Sequence, residues 1–221
     1  GVSKYNKLFD NLFTDQRAFE YVGKNDQGGY SVWAPDVIYN PAIGKYMMYF
    51  CTTSSYIKSN LCYAFADNIE GPYSYQGTIL YSGFTRQSID ETNVFDVIGQ
   101  ESPGKYFSGS AYANLLWPNA IDPALFYDAE GRLWMSYGSW SGGIFILEID
   151  KETGLPIHPE PDEKTRTDRY FGKHLAGGLH NSIEGPYIIY DETTGYYYLF
   201  VSYGSFVSEG GYQIRLFRSR N

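Results

Sequence analysis

Apolar and aromatic residues in this chain fall in short runs, each closed by Gly, Asn, Asp or Pro, and no run is long enough to make a helix the first choice. Three stretches share one layout. The first reads Trp33-Ala34-Pro35-Asp36, an apolar run at residues 37–39, a turn from Asn40 to Gly44, and a second run at residues 45–50. The second reads Ala120-Ile121-Asp122-Pro123, a run at residues 124–127, a turn from Asp128 to Gly131, and a run at residues 132–137. The third reads Ser182-Ile183-Glu184-Gly185-Pro186, a run at residues 187–190, a turn from Asp191 to Gly195, and a run at residues 196–201. An acid near a Pro, an apolar strand, an Asx/Gly turn and an aromatic strand predict a β-hairpin each time.

More strand-like sequence follows each hairpin, at residues 60–66, 143–149 and 213–218, with a possible fourth strand at residues 75–81. Antiparallel units near residues 31–81, 118–150 and 181–219 fit the blades of a β-propeller, an all-β fold. The innermost strands of such blades line a central channel, so Asp36, Asp122 and Glu184 are expected to converge at one mouth. Asp36 alone reads as a turn acid, whereas Asp122 with Glu184 reads as a working pair. Long connections at residues 84–117 and 151–181 are expected to form rims of a binding cleft.

Composition narrows the partners. Aromatic residues make up 19% of the chain, with 24 Gly and 10 Pro, which favours strands and tight turns. A net charge of -8, with basic residues scattered apart from residues 164–169, argues against nucleic acid. No apolar run approaches a membrane span. Cys51 and Cys62 are the only cysteines; they could meet across a hairpin, but two buried free thiols is the favoured reading, and no zinc pattern exists. The chain opens on Gly1-Val2-Ser3 without an initiator Met, which reads as processing or trimming, so a missing signal peptide says little about export.

Three motifs then carry a family resemblance. Trp117-Pro118-Asn119-Ala120-Ile121-Asp122-Pro123, with the run from Trp134 through Ser139-Trp140-Ser141-Gly142-Gly143, resembles the second catalytic segment of glycoside hydrolase family 43 arabinanases. Asn181-Ser182-Ile183-Glu184-Gly185-Pro186 is similar to that family's general-acid segment, and Trp33-Ala34-Pro35-Asp36-Val37 to its early cleft motif. The matches fall in order over most of residues 30–205.

The resemblance implies a five-bladed β-propeller, of which this chain supplies about three blades, cleaving α-1,5-linked arabinan or arabino-oligosaccharides with inversion. Glu184 is then the general acid, and Asp122 the carboxylate that orients it and favours its protonated form. Trp33 would stack on a sugar face and Asn119 would hydrogen-bond to it; core packing and a turn role are the respective alternatives. The acid/base chemistry needs no cofactor. The family also allows a structural calcium or sodium ion, whose ligands lie outside these motifs, and its metal-associated His is not transferred to His158, His174 or His180, which read as surface histidines. A polysaccharide substrate implies a secreted, periplasmic or cell-surface protein.

One departure matters. The family's general base sits in a His-Asp-Pro-like segment opening the first blade, and none is present. Asp10, Asp15 and Asp26 precede Trp33, but none is followed by a Pro and an apolar strand. The missing blades are expected in cis or from a separate chain. Two other readings stay open: a related propeller arabinofuranosidase or xylosidase, separated by its cleft ends, and a non-catalytic carbohydrate-binding propeller that has lost its base.

Overall fold

The computed structural model describes residues 15–205, 207 and 211–221; Asp10 lies outside them. The architecture is all-β, as the runs predict. Strands β1 (Ser31–Asn40), β2 (Lys45–Thr53), β3 (Ser59–Ala66) and β4 (Ser74–Ser82) form an antiparallel meander. A connection follows, with a short helix α1 (Val94–Ile98) and a small hairpin of β5 (Phe107–Ser108) and β6 (Ala111–Tyr112). The second sheet starts with β7 (Ala124–Tyr127), β8 (Leu133–Tyr137) and β9 (Ile144–Ile149). β10 (Pro156–Ile157) pairs with β9; β11 (Thr167–Asp168) and β12 (Gly172–Ala176) complete the order β11-β12-β9-β8-β7. The third sheet is β13 (Ile183–Asp191), β14 (Tyr196–Tyr203) and β15 (Gln213–Ser219). The strands β1, β7 and β13 are the innermost of their sheets, and β7 packs between the other two.

The three hairpin turns are built alike. Asn40 accepts a hydrogen bond from Ala42 N, Asp128 from Glu130 N and Asp191 from Thr193 N, each two residues on, at 3.0, 3.0 and 2.9 Å. Each turn ends on a glycine in the left-handed region, Gly44, Gly131 and Gly195, where a β-carbon would be strained.

A second shared feature sits at the start of each inner strand. Ala34, Asp122 and Gly185 have φ of 44°, 54° and 58°, and each immediately precedes a proline. The ladder of β1 shifts between Trp33 and Asp36, and that of β13 between Glu184 and Tyr187, across Pro35 and Pro186. Proline has no N–H to give the ladder, so the strand breaks register there. Aligned on this kink, the three acids are not equivalent. Glu184 lies one residue before it, Asp122 at it and Asp36 two after it. They are not the same element repeated.

The two long connections correct an expectation. They do not form the rims of the cleft; of both, only His180 reaches it. Instead Phe84, Tyr106, Tyr170 and Phe171 are fully buried in one core shared with the first two sheets. Rings of this size each contribute about 1.5–3 kcal/mol when removed from water, so burial decides where these segments go. Residues 172–176 also become a strand of the second sheet, which therefore runs well beyond residue 150. A smaller core of Ile144, Ile183 and Val201 joins the second and third sheets, while β15 stays exposed along its length. Cys51 and Cys62 are buried free thiols; Cys51 pairs with Leu61 and Cys62 with Phe50, which sends the two side chains to opposite sheet faces.

Candidate active site

The inner-strand kinks open into one cleft of about 820 Å³, lined by Trp33 and Asp36 from β1, Asp122 before β7, Trp140 after β8, Glu184 on β13, and Tyr212 before β15. All three acids therefore meet there. Among the described residues no Lys or Arg lines it, and His180 is its one imidazole. It is an acidic, aromatic groove suited to a neutral, hydroxyl-rich ligand with apolar ring faces.

Glu184 is held from both sides. Its Oε2 accepts from Trp140 Nε1 at 3.0 Å and Ser139 Oγ at 3.3 Å, and its Oε1 accepts from Tyr212 Oη at 2.7 Å. Trp140 is fixed in turn. Its peptide N–H donates to Ile183 O at 2.6 Å, and its backbone has φ of 34°. Gly142 behind it donates to Trp117 O at 3.0 Å, and a β-carbon there would lie 2.3 Å from Trp117 carbonyl carbon. Only glycine lets this loop lie so close to the Trp117 segment.

Asp122 Oδ2 accepts from Gly185 N at 3.1 Å. Burial pushes its carboxyl up to about 6; the Gly185 N–H opposes this, and the Glu184 carboxylate adds to it. Cys51 lies behind Asp122, its thiol pushed up to about 12 by burial and then by the Asp122 charge. Asp36 Oδ2 accepts from Leu125 N at 2.7 Å, so it ties β1 to β7. Burial raises its carboxyl too, against the N–H groups of Leu125 and Val37.

Asn119 corrects an expectation. It is 0% exposed and does not line the cleft, so it is not placed to touch a sugar. Its Nδ2 donates to Ser139 O at 3.3 Å, behind the hydroxyl that reaches Glu184. Trp33, by contrast, is 45% exposed on the cleft wall. Of the histidines, only His180 is at the surface, edge-on to Trp140 with ring centroids 5.4 Å apart. His158 stacks on Tyr170, and its imidazole is lowered by burial. His174 stands on β12 against Phe145, lowered to about 4 by burial and then by Arg166. Both are half-buried against aromatic neighbours rather than at the surface; His174 stands on a strand, while His158 follows β10 outside any strand.

Ser139, Trp140 and Tyr212 were not singled out from sequence. The first two lie inside a motif already quoted. Tyr212 belongs to none, and only the pairing of β14 with β15 brings it back over Glu184. Among the described residues no group of three His, Cys, Asp or Glu side chains is placed to hold a metal ion.

With this geometry in view, residues 97–221 match the glycosyl hydrolases family 43 model. The chain belongs to glycosyl hydrolase family 43. It is 44% identical over 191 residues to the extracellular endo-α-(1→5)-L-arabinanase of Thermotoga petrophila, covering 86% of this chain and 36% of that protein. It is 40% identical over 222 residues to the extracellular endo-α-(1→5)-L-arabinanase 2 of Bacillus subtilis, covering 99% of this chain and 40% of that one. This family 43 chain also superposes on the solved family 43 YxiA protein of Bacillus licheniformis with a TM-score of 0.76 at 39% identity, covering all of this chain and 43% of that one. On the T. petrophila arabinanase structure the TM-score is 0.66, over 86% of this chain and 37% of that one. The fold is thus that of the family's five-bladed propellers, and this chain spans about two-fifths of the relatives it matches.

Proposed function

We propose that this chain carries the general acid of an inverting glycosidase that cleaves α-1,5-linked arabinan, acting as an extracellular endo-arabinanase. The observation that carries the reading is Glu184, held by three donors over an aromatic cleft, with Asp122 bound to the very next peptide N–H. In the reaction the glycosidic C–O bond breaks, the bonding pair stays on the leaving oxygen, and Glu184 supplies that oxygen's proton. Water attacks the anomeric carbon from the opposite face and gives its proton to a base. Asp122 holds the Gly185 peptide and so positions the acid beside it, and Trp33 offers a stacking face for a sugar ring.

The base is not assigned within this chain. Asp36 reaches the cleft, but its Oδ2 is engaged by Leu125 N. Ile214, Leu216 and Phe217 leave apolar surface exposed on β15, which supports further blades covering it, in the same polypeptide or another chain. Endo action and an extracellular site are carried over from the two relatives.

The test is Glu184→Gln assayed on arabinan and on an aryl arabinoside whose leaving group needs no proton. Arabinan hydrolysis should fall by roughly 10²–10⁴, and the aryl substrate should suffer far less. Equal losses on both would exclude Glu184 as the acid. Arabinan binding without any turnover by the wild-type enzyme would favour a carbohydrate-binding propeller instead.

A further inference from the structure

We propose that the acid proton of Glu184 resides on Oε1, and that Trp140 and Tyr212 are the positioning residues that put it there. The proposal rests on the reading of Glu184 as the general acid. Its basis is the unequal chemistry of the groups on the two oxygens. Oε2 faces Trp140 Nε1, and an indole N–H only donates. A proton on Oε2 would make that oxygen the poorer acceptor and leave it less lone-pair capacity for the indole and the Ser139 hydroxyl that both face it. Oε1 faces Tyr212 Oη, and a phenol both donates and accepts. The neutral acid is therefore best served with Oε2 as the carbonyl oxygen under Trp140 and Oε1–H pointing toward Tyr212 Oη. Ser139 Oγ can rotate to suit either state.

The indole cannot easily swing aside. Its own peptide N–H is bound to Ile183 O, the residue before Glu184, so ring and carboxyl are fixed to each other through one strand. The titratable groups that line the cleft with Glu184 are Asp122 from the turn before β7, Asp36, Tyr56, Tyr187, Tyr212 before β15, and His180 edge-on to the Trp140 ring. Cys51 lies behind Asp122 and stays a thiol. When the leaving oxygen takes the Oε1 proton, Tyr212 turns its own O–H onto the new carboxylate. One hydroxyl thus serves both protonation states, and the indole serves neither selectively.

Isotope-edited infrared difference spectra between acid and neutral pH, with ¹³C-labelled glutamate, test this without turnover. Glu184→Gln identifies the Glu184 band by removing it. If Oε2 is the carbonyl oxygen, the bond from Trp140 lowers its C=O stretch; Trp140→Phe then moves the band to higher frequency and Tyr212→Phe leaves it in place. The reverse pattern, or no shift in either variant, overturns the assignment. In kinetics, Trp140→Phe should lose about tenfold in kcat on arabinan and much less on the aryl arabinoside. Equal losses would reduce Trp140 to a structural role. Glu184→Gln separates the two levels: if it spares arabinan hydrolysis, the general-acid reading fails whatever the infrared shows. If it shows the leaving-group contrast and the variants do not shift as stated, only the proton assignment fails.

Discussion

Asp122 Oδ2 accepts the backbone N–H of Gly185, the residue that follows Glu184 in the chain. The second sheet's acid is thus bonded to the third sheet's backbone, beside the third sheet's acid. A similar tie runs one sheet earlier, where Asp36 accepts Leu125 N, three residues after Asp122. Each acid anchors the strand start that carries the next. The inner ends of the three sheets are registered by carboxylates rather than by packing alone.

The first consequence is for rate against pH. Burial, with the Glu184 carboxylate adding to it, pushes the Asp122 carboxyl up to about 6, so a charge appears beside the acid as pH rises through that value. The arabinan pH–rate profile should show an inflection near pH 6 that Asp122→Asn lacks. The same inflection in both proteins would show that the Asp122 charge does not bear on the rate and that Asp122 acts through the Gly185 bond.

The same carboxyl bears on stability. Asp122 titrates at about 6 in the folded protein against 3.8 for a free Asp, because burial disfavours its charge. Between those values the folded state binds more protons than the unfolded one, so stability falls as pH rises through about 4 to 6. Asn at this position carries no charge and still offers an acceptor to Gly185. Asp122→Asn should gain stability at pH 8 relative to pH 3.5, by at most about 3 kcal/mol, the equivalent of the shift. Urea unfolding of both proteins at the two pH values measures it; a gain equal at both would show that burial of the charge is not the cause.

The turns and inner strands were legible because local chemistry sets them. Asn40, Asp128 and Asp191 each close their turn through their own side chains, and the flanking apolar runs fix which face is buried. The placement of Glu184 and Asp122 was carried by family motifs. What escaped was non-local. Tyr106 and Tyr170 look like loop residues in sequence, yet Tyr106 Oη bonds buried Asp168 and Tyr170 Oη bonds Asn93, contacts that no spacing encodes. The kink also hid. Ala34 and Asp122 hold positive φ without being glycine, so composition does not mark what Gly185 marks in the third unit.

Asp36 separates a tie from a catalyst. Asp36→Asn keeps an acceptor for Leu125 N and should leave both stability and arabinan hydrolysis close to wild type. Asp36→Ala strands that N–H and should cost about 1–3 kcal/mol in unfolding free energy. Loss of activity in Asp36→Asn with unchanged stability would instead make Asp36 the base.

Trp33 occupies in the first sheet the place that Glu184 holds in the third, one residue before the kink, and it faces the same cleft. At 45% exposure it is not a core residue, and the interaction the fold takes from it is through its backbone, whose carbonyl accepts from Cys51 Sγ at 3.4 Å. Trp33→Ala keeps that carbonyl, so unfolding free energy should change by no more than about 0.5 kcal/mol. Removing the ring takes away a flat apolar face for a sugar, worth about 0.5–1.5 kcal/mol if it resembles other aromatic contacts. KM on arabino-oligosaccharides should then rise by several-fold with a smaller change in kcat, since stacking holds ground state and transition state alike. Trp33→Tyr should recover part of the loss. A fall in stability with no change in KM would place Trp33 in the packing of β1 and remove it from the sugar site.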